Sequence, residues 1–404
     1  MLCDTRDAVP SCRFLFGEKE PGLNYIERAL ELARRAQGWS SPNPAVGAVV
    51  VSSGEIVGEG WTQAVGEAHA EVVALRAAGP RARGAALYVT LEPCSHFGRT
   101  PPCTDAVLAA GISEVHAAMA DPSPWVAGKG FQILRDAGVT VQVGDHEAEA
   151  RNLNAGYFKW VGSKLPFLTL KFAMTADGKI ATRTGASFWI TGIEARREVV
   201  RLRARVDAVM VGIGTVLADD PQLTARPTEL GMPELEPVHQ PLRVVLDSTG
   251  RLPVTAKLVS GGLLGKTLLC TTRRASAKHL RELEQHGVET VVLPECQGRV
   301  DVTAAMQALG ERGVTSVLAE CGGTLAWSLL EARVVDSVLA FVAPKLVGGR
   351  EAPTPVDGEG LPLMDQAIEL EDPQWQVFGR DVLLSATIAA RPEPARAVEQ
   401  ASVA

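Results

Sequence analysis

The chain of 404 residues contains no apolar stretch near the roughly 20 residues that a membrane-spanning helix needs, so an integral helical membrane protein is excluded. It also lacks an excess of positive charge. With a formal net charge of −7, no global basic field draws it to a nucleic-acid backbone, and any phosphate must be recognised by a local cluster. Cysteine is sparse and odd in number, seven in all, at positions 3, 12, 94, 103, 270, 296 and 321. Such a scattered set makes no disulfide framework and fits a reducing compartment, so a cytoplasmic location is expected. No G-x-G-x-x-G follows a strand-like segment, which leaves out the dinucleotide fingerprint of a Rossmann unit. The first twenty residues mix acids and bases without a long apolar run, and a signal peptide is not expected.

What is present is ordinary soluble usage, 46% apolar and 22% charged, over a length that suits two domains at roughly 150 residues each. Residues 1–21 read as a flexible extension and 391–404 as a disordered tail. Between them, helical and strand periods alternate. The apolar spacing of Ile26, Ala29, Leu30 and Ala33 predicts a helix over 25–35, and 48–51 with 56–61 predict a hairpin. Then come a helix at 68–78, a strand at 85–91, a helix at 105–110, a strand at 114–118, a helix at 131–137 and a strand at 140–143. The pattern changes near 156–166, and the domain boundary is placed there, giving 22–165 and 166–390. The second half opens on the strand FLTLKFAMT and has strands at 208–211, 243–247, 267–271, 290–293, 316–320, 337–342 and 382–388. Helices are expected at 278–286, 302–309 and 325–331. This is α/β layering in both halves.

One constellation in the first half carries chemistry. His69-Ala70-Glu71 opens a predicted helix, Pro93-Cys94 ends a predicted strand, and Cys103 follows in a Pro-rich loop. One imidazole and two thiolates are three zinc ligands, with the fourth tetrahedral position left for water. Glu71 is not needed as a ligand and is placed to move that water's proton to a departing ammonia. The pattern is the H-x-E…P-C signature of zinc deaminases. By itself H-x-E is weak, and a closed structural site remains an alternative if His96 supplies a fourth ligand. The interval between the cysteines holds eight residues, SHFGRTPP, which argues against a plain cytidine or tRNA adenosine deaminase. It places His96 and Arg99 beside the metal centre, suited to an anionic substituent. In the loop PNPAVG, Asn43 offers an amide to the edge of a heterocycle.

The second half has Glu320-Cys-Gly-Gly-Thr-Leu325 between a strand and a helix. Paired glycines let backbone approach a ligand, and a helix N-terminus offers free N–H groups to a pyrophosphate, although Gly-Gly at a strand end is often only a turn. Five arginines (196, 197, 201, 203, 205) fall on one predicted helix, where the bland reading is a solvated face. Asp219-Asp220-Pro221 signals a turn within a loop.

PNPAVG, HAE and EPCSHFGRTPPC together resemble the bifunctional deaminase/reductase of riboflavin biosynthesis, and the resemblance runs on through residues 22–390. It implies a cytidine-deaminase-like three-layer α/β/α domain followed by a dihydrofolate-reductase-like α/β domain. It implies zinc on His69, Cys94 and Cys103, with Glu71 as proton shuttle. Asn43 would contact the pyrimidine, and His96 and Arg99 the ribose phosphate. Thr62 stands where the family often has histidine. In the second domain it implies NADPH contacts from Ala173, Trp189, Thr215, Asp219, Ser248, Gly322, Gly323 and Thr324. Substrate contacts would come from Ser187, Arg203, Leu223, Arg226 and Glu320, while Lys171 lies near the hydride site without an assigned role. The substrate class implied is a small pyrimidine ribotide, with no nucleic-acid or membrane partner and a homo-oligomer left open. The competing readings are a nucleoside or tRNA deaminase fused to an unrelated accessory domain, and a zinc-stabilised scaffold in which only reduction occurs.

Overall fold

The run Gly47–Ser52 is apolar at every position up to Val51, which suits a strand covered on both faces. It is β1 of a five-stranded sheet and pairs antiparallel with β2 (Glu55–Trp61) and with β3 (Ala86–Val89). Strands β4 (Glu114–Ala117) and β5 (Thr140–Val143) then continue in parallel. Alternate residues of β1 serve opposite faces. Val49 and Val51 pack with Ala29 and Leu32 of α1 (Tyr25–Ala36), whereas Ala48 and Val50 join the cluster that holds Ala70, Ala74 and Ala78 of α2 (Ala70–Ala78). Helices α3 (Cys103–Ala110) and α4 (Lys129–Asp136) complete the layers. The computed structural model describes residues 24–123, 126–233, 238–260 and 262–389; the expected extension 1–21 and tail 391–404 lie outside the described residues.

Two glycines of β2 set the position of α2. A Cβ at Gly58 would sit 2.2 Å from the Ala74 carbonyl oxygen, and one at Gly60 would sit 2.5 Å from that of Ala70. Without side chains there, the helix lies directly on the strand, and its first turn is fixed relative to the sheet. His69 is its N-cap residue.

Two helices follow that the periodicity does not announce, α5 (Glu147–Leu153) and α6 (Ala155–Ser163). Helix α6 occupies the stretch where a change of pattern marks the expected boundary. Its Lys159 Nζ lies 2.7 Å from Asp336 Oδ2, and Trp160 Nε1 donates to the Gly310 carbonyl at 2.8 Å, so it ties the first half to the second.

The second sheet has nine strands. In chain order they begin with β6 (Phe167–Thr175), β7 (Ala208–Gly212), β8 (Leu242–Leu246), β9 (Thr267–Thr271) and β10 (Val288–Val292). A two-stranded ribbon, β11 (Glu295–Cys296) with β12 (Arg299–Val300), stands apart from it. Then come β13 (Ser316–Ala319), β14 (Ser337–Ala343), β15 (Leu370–Phe378) and β16 (Asp381–Ile388). The spatial order is β10-β9-β8-β7-β13-β6-β14-β16-β15, parallel through β14 and antiparallel at the last two. Its helices are α7 (Ile193–Arg205), α8 (Ile213–Asp219), α9 (Ala277–Gln285), α10 (Val302–Glu311) and α11 (Gly323–Glu331). The chain moves outward from β6 through β10, then returns to insert β13 between β7 and β6. Such a reversal opens a crevice at the carboxyl ends of the strands, where ligands of open α/β sheets bind.

Candidate active sites

The tight seat of α2 on β2 brings His69 to the carboxyl side of β3, and the backbone after β3 delivers Cys94. Glu92, buried, holds that segment by accepting from the backbone N–H groups of Asp121, Gly128, Gly130 and Phe131. Cys103, first residue of α3, donates its backbone N–H to Cys94 Sγ at 3.3 Å. The three ligand atoms gather within 4.8 Å of one another. His69 Nδ1 lies 3.6 Å from Cys94 Sγ and 3.3 Å from Cys103 Sγ. Zinc bonds of about 2.3 Å to sulfur and 2.05 Å to nitrogen give a tetrahedral N···S edge of about 3.55 Å, so these spacings fit a shared cation. Thr100 Oγ1 stands 3.3 Å from the other ring nitrogen, Nε2, where it fixes the ring's orientation.

The electrostatics point the same way. Hydrogen bonding between the sulfurs pulls the Cys94 thiol well below its usual range and pushes the Cys103 thiol up. Two thiols and an imidazole this close cannot all take their ligand forms without a positive charge among them. Burial pushes the Glu71 carboxyl up to about 7. Glu71 lies outside the ligand group, and among the described residues no fourth histidine, cysteine or carboxylate joins it. His96 is exposed on the following loop.

His69, Cys94 and Glu71 border a cavity of about 300 Å³, with Cys103 buried behind them, and its wall also includes Asn43, Thr62, His96 and Arg99. Thr62 is buried, and its hydroxyl exchanges hydrogen bonds with the backbone of Val46, so it is tied to the fold. The loop bearing Asn43 is pinned by Asn154, which accepts from Ala45 N and donates to Ala45 O. Residues that the sequence did not single out line it as well: Asp121, Ser123, Tyr157, Trp160 and Lys164. Asp121 accepts from Ser123 N at 2.8 Å and from the Tyr157 hydroxyl at 3.5 Å. The DPSP segment has the look of a turn, and nothing local marks Tyr157 and Trp160 of α6 or its cap Lys164.

The second cavity, about 620 Å³, opens at the carboxyl ends of β13, β6 and β7. Ala173, Ser187, Trp189, Arg203, Thr215, Asp219, Leu223, Arg226, Glu320 and Gly322 all line it, whereas Ser248, Gly323 and Thr324 do not. Ser248 Oγ accepts from Val300 N. Gly323 is pressed by its own chain, since a Cβ there would fall 2.4 Å from the Asp357 carboxyl carbon, while Gly322 faces open space. Gly323 therefore has no room for a side chain, whereas Gly322 stands open beside the cavity.

Arg203 is not part of a solvated face. Its Nε donates to Glu320 Oε1 at 2.6 Å and Nη2 to Oε2 at 3.0 Å, with Lys171 Nζ 3.4 Å from the same carboxylate. Burial alone would raise the Glu320 carboxyl, yet the charges of Arg203 and Lys171 prevail and hold it at about 2. Arg226 Nε is buried without a partner beside the cavity, a donor in want of an acceptor. Arg196 stacks over Trp189 at 4.2 Å, and Ser187 Oγ donates to Asp219 Oδ1 at 3.1 Å. Asp219 itself ends α8, a helix standing where the sequence suggests a loop.

Comparison with known proteins gives the family of both halves. Residues 20–119 match the cytidine and deoxycytidylate deaminase zinc-binding region, and residues 166–384 match the RibD C-terminal domain. The riboflavin biosynthesis protein RibD of Actinobacillus pleuropneumoniae is 43% identical over 365 residues, 90% of this chain and 94% of that one. Among solved structures, Acinetobacter baumannii RibD superposes with a TM-score of 0.77 at 37% identity, covering 91% of this chain and 98% of its own. The Thermotoga maritima diaminohydroxyphosphoribosylaminopyrimidine deaminase/5-amino-6-(5-phosphoribosylamino)uracil reductase superposes with a TM-score of 0.73 at 33% identity, covering 90% and 98%. The chain belongs to the RibD family, the bifunctional deaminase/reductases of riboflavin biosynthesis, with zinc serving the first half and NADPH the second.

Proposed function

We propose that the chain carries out two consecutive steps on one pyrimidine ribotide. The first cavity hydrolyses the 2-amino group of 2,5-diamino-6-(5-phosphoribosylamino)pyrimidin-4(3H)-one, giving 5-amino-6-(5-phosphoribosylamino)uracil. The second reduces the ribosyl group to a ribityl chain. The reading rests on one observation: an imidazole and two thiols meet at ligand spacing, with a buried carboxyl on the same cavity but outside the ligand group.

His69 Nδ1 and the sulfurs of Cys94 and Cys103 would hold the zinc, whose bound state acidifies the attacking water to a pKa of roughly 7. Glu71 takes that water's proton and returns it to the departing ammonia. Asn43 reads the edge of the pyrimidine, and His96 and Arg99 hold the ribose phosphate. In the second cavity bound NADPH would be the source of hydride for the ribosyl carbon, and the chain's task is placement. Ala173, Trp189, Thr215, Asp219 and Gly322 form the cofactor's side of the wall, while Ser248, Gly323 and Thr324, also expected to contact NADPH, lie off the lining. Ser187, Arg203, Leu223, Arg226 and Glu320 receive the substrate, Arg226 Nε being the free donor. The division between the halves is placed between Leu165 and Pro166, just after α6. The enzyme works in the cytoplasm on small molecules. No described helix is long and apolar enough to cross a membrane.

The test is to mix the protein, zinc, the diaminopyrimidine ribotide and NADPH and identify the products by mass. Exchange of an amino group for oxygen, followed by gain of two hydrogens, is expected. A product that keeps the 2-amino group, or consumption of NADPH with no reduced sugar, overturns the reading.

A further inference from the structure

Lys164 stands in an unusual position for a residue with a side chain. It caps the C-terminus of α6 in the left-handed region, at φ +60°, donating its N–H to the Trp160 carbonyl at 2.8 Å. Glycine adopts that conformation freely, whereas a lysine there is strained. The side chain is exposed, and its Nζ lies 3.9 Å from the centroid of the Trp160 ring. Both residues border the deaminase cavity, together with Arg99 and His96.

The second half holds this arrangement in place. Trp160 Nε1 donates to the carbonyl of Gly310 in α10, and a Cβ at Gly310 would come within 1.8 Å of the Lys164 carbonyl oxygen. Apart from Glu71, the carboxyls of the same wall are committed elsewhere. Glu92 accepts from backbone N–H groups, and Asp121 from Ser123 N and Tyr157. Neither Arg99 nor Lys164 has an ion-pair partner among the described residues. Two cations without ion-pair partners on one cavity, from a loop of the first half and from the end of the helix that joins the halves, make a receptor for a dianion.

We infer that Lys164 is a phosphate-binding residue of the deaminase cavity, presented to it by contacts with the reductase half. This rests on the ribotide being the substrate. It gives the joining helix a function: the deaminase site takes one wall, and one of its charges, from a helix anchored on the other domain. A ribotide gains the contact and the corresponding riboside does not.

The test uses the full-length zinc-loaded protein and measures ammonia release from the ribotide and from its dephosphorylated riboside. Lys164→Gly relieves the backbone strain, so its thermal midpoint should be at or above that of the parent. Its KM for the ribotide should rise about tenfold with little change in kcat, as loss of one charge-assisted contact predicts. Lys164→Arg should recover most of that loss, and for the riboside all three proteins should share one KM. An unchanged ribotide KM in Lys164→Gly overturns the inference, as does an equal rise for the riboside, which would make Lys164 a structural residue. Failure of the parent protein to release ammonia from the ribotide instead overturns the substrate reading itself.

Discussion

In the first cavity the groups proposed to react are the chain's own: three ligand atoms within 4.8 Å and a buried carboxyl beside them. In the second cavity the charged side chains are paired with each other. Arg203 and Lys171 are held by Glu320, and Ser187 is held by Asp219, leaving shape and a few donors for cofactor and substrate. A site that performs chemistry through one proton-transfer group fails when that group is lost. A site that positions a cofactor declines by degrees, because placement is shared among many contacts.

Substitutions can break or sharpen this contrast. The largest effect is expected for Glu71→Gln, with ammonia release falling about a thousandfold, within the range for loss of a general acid–base, while NADPH oxidation on deaminated substrate continues. Coupled assays with each intermediate check this, and equal loss of both activities would merge the two sites. Cys94→Ser comes next. Removal of one of three protein ligands should cut bound zinc to a small fraction of one per chain, as elemental analysis would show.

Glu320→Gln tests the second region and should destabilise the protein by about 3 kcal/mol, because Arg203 is left buried and unpaired. A lower urea midpoint at unchanged slope is the expected sign. The pH dependence follows from the same group. Its folded pKa of about 2 lies below the unfolded value, so the pairing adds stability above the unfolded pKa that is lost as the pH falls toward about 2. Below about pH 4 the difference between parent and variant should therefore shrink. The smallest effect is expected for Arg196→Ala, which removes the guanidinium stacked on Trp189. A rise of a few-fold in the KM for NADPH, with kcat retained, suits a partly exposed cation–π contact.

Short-range signals carried much of this architecture. The 3.6-residue spacing of Ile26, Ala29, Leu30 and Ala33 marked α1, and the residue types at 69, 94 and 103 marked the metal set before any contact was visible. Three kinds of feature escaped. Helix α8 read as a loop because Asp219-Asp220-Pro221 signals only its end. Strand β15 contains Pro373 and opens on acidic residues; it is an edge strand with an irregular register between Glu371 and Gln374, where a missing N–H is tolerated. Tyr157, Trp160 and Lys164 reach the first cavity only through the docking of α6, a tertiary event with no local trace. The glycine pair was half legible: its position beside the cleft was readable, but not that Asp357 crowds Gly323 while Gly322 stays open.

The claim on which the account turns is a division of labour at the first site, with His69, Cys94 and Cys103 gripping a cation and Glu71 handling protons beside it. Elemental analysis of purified Glu71→Gln tests this most directly. One zinc per chain, as in the parent protein, is the predicted result; a variant that emerges without zinc would show that Glu71 is a ligand and would contradict the division.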